Sequence, residues 1–463
     1  MGTNFPGKKG DCLASLGWKL GAWKAKYRLS LQKLSADEQE LAALVAKRLR
    51  QETQAKEVGP QDQAEKLVEK TLGLECEEQG IELDSDQHSY LSRAIFLQTY
   101  GFGFLQEMLS DDSLEEIAMV GLKRPVYVYK KNSGWKKTNV SIESQEYFVS
   151  LVNRLGRGLG RRLTAQQPRL NAVLEEGSRL HASMPPVSSC EFTIRKFGRQ
   201  PISPFDLLRF GTYNAKAMAL LSLAIQADMS AVFAGNTASG KTSTLNALLC
   251  FVPESERMLL IEETPEIRIS HSHQLRLLPF EESGIGMVDL VRDSLRMRPD
   301  RVVVGEIRTA SEAKAFVESA LSGQAKGCYT TFHAQSSRDA LLRMRMMGCL
   351  EADLEGIELF VVQRRVSTYD SKKRKVGELR KLTQIAVSNP RQILQPAIVY
   401  DGKSFSKSIG TLIEKISAGT GMHKNEVKKE IAKRERFLLS KKKVHGFDKS
   451  FSEIQKFLYR GKS

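Results

Sequence analysis

The chain has no run of about 18 consecutive apolar residues, so no transmembrane helix is expected. Its six cysteines, Cys12, Cys76, Cys190, Cys250, Cys328 and Cys349, are scattered, with no C-x-x-C pair and no Cys/His cluster. That argues against a disulfide framework and a zinc site, and fits reduced, mostly buried thiols. Lys and Arg interrupt the segment from Trp18 to Leu34, which therefore lacks the apolar stretch of a signal peptide; a cytoplasmic protein is expected. Pro6 stands where a myristoylation signal needs Ser or Thr. The middle of the chain lacks net charge. Residues 1–33 carry seven Lys or Arg against one acid, and residues 403–463 carry sixteen against six, which together account for the whole net charge of +16. A nucleic-acid channel through residues 34–402 would need a cationic excess there. No aromatic stacking pattern and no KH-type G-x-x-G in context compensates, so a nucleic-acid partner is not expected. The basic ends suit an acidic partner or an anionic membrane surface, or they are solvated faces and a frayed tail.

What the sequence does contain centres on Gly235-Asn236-Thr237-Ala238-Ser239-Gly240-Lys241-Thr242, with Ser243 beside it. Every fixed position of the phosphate-binding pattern G-x-x-x-x-G-K-[ST] is met. A short apolar run ends at Ala234, and Leu245, Leu248 and Leu249 follow at helical spacing, so the motif sits between a buried strand and a helix. Backbone N–H groups of such a loop and helix start point at phosphates. Gly235 and Gly240 let the backbone wrap closely. Lys241 adds a full charge, and Thr242 offers a hydroxyl to Mg²⁺.

At 463 residues, two or three domains are expected. Residues 1–33 form at best a weakly amphipathic basic helix, lying on a membrane or moving freely as an arm. Residues 34–98 read as helices, and 1–99 as a basic arm with a helical region. Residues 100–200 alternate short strands and helices as a small α/β domain. Within it, Gly156, Gly158 and Gly160 interleave with Arg157, Arg161 and Arg162, in a loop that either contacts phosphate or is a turn. Pro201 to Gly211 reads as a linker. Residues 212–402 alternate strands and helices as an open, mostly parallel sheet, closing on an antiparallel pair joined by Lys372-Lys373-Arg374. Residues 403–463 read as a basic helical extension.

In open α/β sheets, ligands sit beyond the carboxyl ends of the strands. Glu262 and Glu263, Glu306, and His333 each close an apolar run. One carboxylate can bind a Mg²⁺ shell, another can orient an attacking water, and a histidine can sense a phosphate or bridge to a neighbouring subunit.

These segments resemble the ATPases of type II and type IV secretion systems, type IV pili and the archaellum. Glu262-Glu263-Thr264-Pro265-Glu266 is similar to the family's aspartate box E-D-x-x-E, with Glu263 where Asp is usual. Arg296 to Arg308 resembles the Walker B segment R-x-x-P-D-x-x-x-x-G-E-x-R, with Glu306 as its acid. Gly323 to Ala334 resembles the histidine box around His333. Gly177 to Ala182, Pro185-Pro186 and Thr193 to Lys196 resemble the N-terminal hairpin. The likeness covers roughly residues 100–400, and four motifs agree in order and spacing.

The resemblance implies an α/β chain: a helical N-terminal region, a small α/β domain, and a RecA-like P-loop ATPase domain with a mostly parallel sheet. It implies ATP and Mg²⁺ as ligands, with Thr242 and Glu306 on the metal. It implies Glu262 or Glu263 on the water, and Glu262 is the first choice. Arg179 and Arg195 become arginine-finger candidates, with structural ion pairs as the other reading. It further implies a homohexamer at the inner face of the cell membrane that pushes on a polytopic membrane platform protein. Through that platform it would assemble or extrude pilin-like filament subunits. A P-loop nucleic-acid motor of helicase type, or a scaffold that binds ATP without turnover, is the alternative.

Overall fold

The computed structural model describes residues 18–20, 24–29, 34–53, 61–131, 133–156, 162–174, 177–196, 201–280, 283–370, 375–389, 392–400, 405–407 and 409–460. It comprises two compact units, Met1–Arg199 and Gln200–Ser463. Most of the N-terminal arm, most of the Gly/Arg loop after Gly156 and the Lys372–Arg374 turn lie outside the described residues. Among the described residues no helix is long and apolar enough to cross a membrane.

The first unit runs β1 (Trp18–Leu20), α1 (Ala36–Thr53), α2 (Gln61–Gln79), α3 (Ser85–Thr99), α4 (Leu105–Ser110), β2 (Leu114–Met119), β3 (Pro125–Lys130), β4 (Gly134–Ile142), α5 (Gln145–Leu155), β5 (Arg169–Val173), β6 (Arg179–Ser183) and β7 (Glu191–Arg195). Its seven-stranded sheet has the order β1-β4-β3-β2-β7-β6-β5 and is antiparallel throughout. Leu41, Val45 and Leu49 recur every fourth residue on α1 and meet Val68, Leu72, Leu91 and Ile95 from α2 and α3 in a separate core. Asp84 and Gln87 open α3 with a capping box.

One expectation is corrected here. Residues 18–20 form an edge strand on β4 rather than part of a basic helix. Trp18 is buried, its ring 5.7 Å from that of Phe104. The backbone of Leu29 donates to Asn139 Oδ1 at 2.9 Å and accepts from Asn139 Nδ2 at 3.1 Å. At residues 18–20, pairing with β4 and burial of Trp18 outweigh a weak periodic signal.

The second unit runs α6 (Pro204–Arg209), α7 (Ala215–Gln226), β8 (Ala231–Gly235), α8 (Lys241–Leu249), β9 (Met258–Ile261), β10 (Gln274–Leu277), α9 (Met287–Ser294), β11 (Arg301–Ile307), α10 (Ala310–Leu321), β12 (Gly327–His333), α11 (Ser337–Met346), β13 (Leu359–Asp370), β14 (Lys375–Asn389), β15 (Gln392–Tyr400), β16 (Phe405–Lys407), α12 (Gly410–Thr420), α13 (Lys424–Ser440) and α14 (Phe447–Leu458). The nine-stranded sheet has the order β10-β9-β11-β12-β8-β13-β14-β15-β16. Neighbours from β10 to β13 pair parallel, and those from β13 to β16 antiparallel. Strands β8 and β9 are buried along their whole length, as the centre of a parallel sheet with both faces covered requires.

Two further expectations change. The segment read as a linker contains α6, capped by Ser203 and Asp206, with Phe205, Leu207 and Leu208 buried in the core of the second unit. The segment read as a basic extension belongs to that same core, through Leu412, Ile416, Leu438 and Ile454. Arg209 donates to Lys442 O at 2.6 Å and to Val444 O at 2.7 Å, so the triple-lysine run is a folded turn between α13 and α14. The C-terminal helices were expected, but their charge-dense composition obscured their place in the core because only one stripe of each is apolar.

At the end of the sheet where β11 begins, Arg301 is buried. Its Nε donates to Glu256 Oε2 at 2.6 Å, and its NH1 donates to Tyr329 Oη at 3.0 Å and Ile225 O at 3.1 Å. Asp228 completes the ring of partners at 2.5 Å. This network ties the end of α7 to β11 and β12.

Candidate phosphate-binding site

The loop from Gly235 to Gly240 leaves the carboxyl end of β8 and enters α8. Its shape demands glycine at both ends. A Cβ on Gly235 would meet Gln363 O at 2.1 Å and Ser239 Oγ at 2.4 Å, and Gly240 has φ +94°. Ala238 also lies in the left-handed region, φ 59°. Asn236 brackets the backbone of Arg365 on β13, donating to its O at 3.1 Å and accepting from its N at 2.9 Å. Arg380 on β14 donates to Ala238 O at 2.9 Å. Thr237 and Ser243, the remaining members of the motif, flank these bonds in the loop and in the first turn of α8. The hydroxyl of Ser239 is buried with no protein hydrogen-bond partner.

Lys241 opens α8 and is buried. Its Nζ lies 3.3 Å from Gly235 O and 3.5 Å from His333 Nδ1. The histidine arrives there because β12 pairs parallel with β8, with His333 opposite Gly235. Its other nitrogen, Nε2, lies 2.9 Å from Glu306 Oε1. Glu306 comes from β11, where a bulge between Val304 and Glu306 resets the register against β12. Arg308, two residues on, pairs with Glu306 at 2.7 Å and also with Glu263. Lys241, His333, Glu306, Arg308 and Glu263 thus form one chain of alternating partners along the sheet edge. Partial burial, then the Lys241 ammonium, hold the His333 imidazole below its ordinary value of 6.5 against the opposing pull of Glu306. Burial alone would depress Arg308; Glu306, Glu263 and Glu312 outweigh it and hold that guanidinium above its usual value.

The carboxylates of the 262–266 segment have separate tasks. Glu262 is buried, and its Oε1 accepts the backbone N–H groups of Glu266 and Ile267, both at 2.8 Å. Its Oε2 lies 3.2 Å from Arg276 Nε on β10. Burial raises this carboxyl from 4.5 to about 7, opposed by the two N–H groups and Arg276. Glu262, the first choice for orienting a water, therefore has one oxygen engaged in holding the loop after β9 and the other, without a hydrogen bond, beside Arg276. Glu263 faces outward to Arg308. Glu266 reaches the motif: its Oε2 accepts from Thr242 Oγ1 at 3.1 Å. Sequence reasoning quoted Glu266 within the box without giving it a role. The signal available was the spacing of the box, which sets Glu266 just past the turn that Glu262 caps.

The donor set fits a nucleoside phosphate. A glycine-bounded turn, a helix start, an ammonium, and a buried hydroxyl lacking a protein partner meet in one place. The pair Thr242 and Glu266 provides the hard oxygen ligands and second sphere that Mg²⁺ takes when phosphates and water complete its shell. Glu306, the other expected metal ligand, is turned toward His333 and Arg308. Arg179 and Arg195 lie in the first unit, directly opposite each other on β6 and β7.

Residues 159–434, more than half of the chain, match the model of the family described as type II/IV secretion system protein. Two uncharacterized proteins of Methanocaldococcus jannaschii are 33% identical over 231 residues and 34% identical over 251 residues. Those matches take in 47% and 53% of this chain but only 32% and 45% of the relatives, so the chain spans less than half the length of either. The type IV secretion system protein PtlH of Bordetella pertussis is 31% identical over 271 residues, covering 52% of this chain and 78% of that one. Among solved structures, the Legionella pneumophila ATPase DotB shares 19% identity, covering 72% of this chain and 86% of that one at a TM-score of 0.44. On the length of the family match and the extent of the PtlH relationship, the chain belongs to the type II/IV secretion system protein family.

Proposed function

We propose that this chain is an ATP-hydrolysing motor that works as a homohexamer and powers secretion or the assembly of type IV pilus-like filaments, of pilus or archaellum type. ATP supplies the phosphoryl group passed to water, and Mg²⁺ neutralises charge on its phosphates. The residues of the chain provide position and charge. The loop amides from Asn236 to Gly240 and the start of α8 cradle phosphate, with Lys241 as the full positive charge. Thr242, oriented by Glu266, and Glu306 would hold the metal. His333 links Lys241 to Glu306, and Arg308 holds Glu306 and Glu263 in place through its ion pairs. Glu262 holds the loop that presents Glu266, and a water-orienting role falls to Glu262 or Glu263 only if one is released from its partners. Arg179 and Arg195 are candidates for the further positive charge that phosphoryl transfer needs, supplied from the first unit in a RecA-like two-lobed enzyme.

The observation that carries this reading is the convergence of Lys241, His333 and Glu306 beside a glycine-bounded loop, at the shared end of three parallel strands. Family membership supports a role at the inner face of the cell membrane. There the motor would act on a polytopic platform protein and, through it, on pilin-like subunits, with the basic ends able to meet an anionic membrane surface. The test is phosphate release by the purified chain with ATP and Mg²⁺. Turnover that depends on Mg²⁺ and is lost in Lys241→Ala supports the proposal; equal release by both proteins overturns it.

A further inference from the structure

Both fixed glycines of the phosphate loop are shaped by one residue that lies far away in sequence. Gln363 stands on β13 just past the last position at which that strand pairs with β8, where a bulge also shifts its register against β14. Its backbone O is the atom that a Cβ on Gly235 would strike at 2.1 Å. Its side-chain Nε2 is the atom that a Cβ on Gly240 would meet at 2.9 Å. That same Nε2 donates to Ser239 O at 2.6 Å, inside the loop. The other end of the amide is held in turn. Its Oε1 accepts from the Thr244 hydroxyl on α8 and from Tyr213 Oη at 3.3 Å. Gln363 is only 3% exposed, so each of these bonds is made away from competing water.

We infer that Gln363 is a positioning residue for phosphate binding: its amide clamps the Ser239 carbonyl and so holds the loop turned with its N–H groups toward the ligand. The inference rests on the nucleotide-binding reading of the loop and adds a residue to it. A peptide whose C=O is held on the inner side must present its N–H on the other. An amide is suited to this task because it donates to Ser239 and accepts from Thr244 and Tyr213 with one planar group. Glutamate at the same position keeps the acceptor and loses the donor, placing an oxygen against the Ser239 carbonyl. Methionine keeps the length and loses both. Either change leaves a buried carbonyl unpaired and frees the loop to rotate.

The experiment measures binding of a fluorescent ADP with Mg²⁺ by the full chain, alongside thermal unfolding, for wild type, Gln363→Glu and Gln363→Met. The expected result is a dissociation constant raised about tenfold or more in both variants. Their melting temperatures should stay within a few degrees of wild type. Equal affinity in folded variants overturns the inference while leaving the nucleotide-binding reading intact. Loss of folding in both assigns the glutamine to the core and also overturns it. A wild-type chain that does not bind the probe refutes the nucleotide-binding reading itself, and this inference with it.

Discussion

Glu262 offers a quantitative test of how the loop behind the site is held. Its carboxyl is buried and raised from 4.5 to about 7, although it accepts two backbone N–H groups and faces Arg276. Between those values the folded chain keeps a proton on Glu262 that the unfolded chain releases. Stability therefore falls as pH rises through this window, with the full contribution present below about 4.5 and lost above about 7. The shift corresponds to an upper bound of about 3.5 kcal/mol at about 1.4 kcal/mol per pH unit. For a unit of this size that is a melting-temperature change of up to about 10 °C. Glutamine keeps the oxygen that caps Glu266 and Ile267 and cannot ionise. The assay is thermal unfolding of wild type and Glu262→Gln at intervals from pH 5 to pH 8. Wild type should lose ground to the variant from pH 5 to about pH 7, and the difference should level off above that. A constant difference between the two curves from pH 5 to pH 8 would mean that folding does not raise the Glu262 carboxyl, and would refute this prediction.

Other expectations follow from the same geometry. Glu266→Ala removes the acceptor of the Thr242 hydroxyl and should slow ATP turnover by about 10- to 100-fold, read as kcat in a phosphate-release assay, with little change in melting temperature. Because burial and Lys241 keep His333 neutral near pH 7, turnover should hold steady to below pH 6.5 and fall as protonation sets a second cation beside the lysine. A pH–rate profile of His333→Gln should lack that acid limb. Arg301→Leu leaves Glu256 buried beside Lys326 alone and should cost about 3–5 kcal/mol of stability, measured by denaturant unfolding. A cost under about 1 kcal/mol would mean the network is dispensable.

The site was legible in the sequence wherever its residues are local. Val302-Val303-Val304 running into Glu306, and Tyr329 to Phe332 running into His333, announce strand ends, and parallel pairing then brings both to the glycine-bounded loop. Two things were hidden. The division of labour within Glu262, Glu263 and Glu266 depends on which way each side chain leaves the end of β9, and three identical residues carry no mark of that. The bracing by Gln363, Arg365 and Arg380 comes from strands more than a hundred residues beyond the loop, with no periodicity or motif of their own. In the fold, the alternation of strands and helices predicted the parallel sheet, but the basic C-terminal helices looked detachable. Ile416, Leu438 and Ile454 are too widely spaced among lysines to reveal that they close the core over Leu220 and Leu248.

We propose one nucleotide site, at the junction of β8, β11 and β12. A crystal structure of the full chain with a non-hydrolysable ATP analogue and Mg²⁺ tests it most directly. Phosphate density is expected over residues 235–242, in contact with the Lys241 amine and the Thr242 hydroxyl. Analogue bound elsewhere, or a loop left empty at saturating concentration, would contradict it.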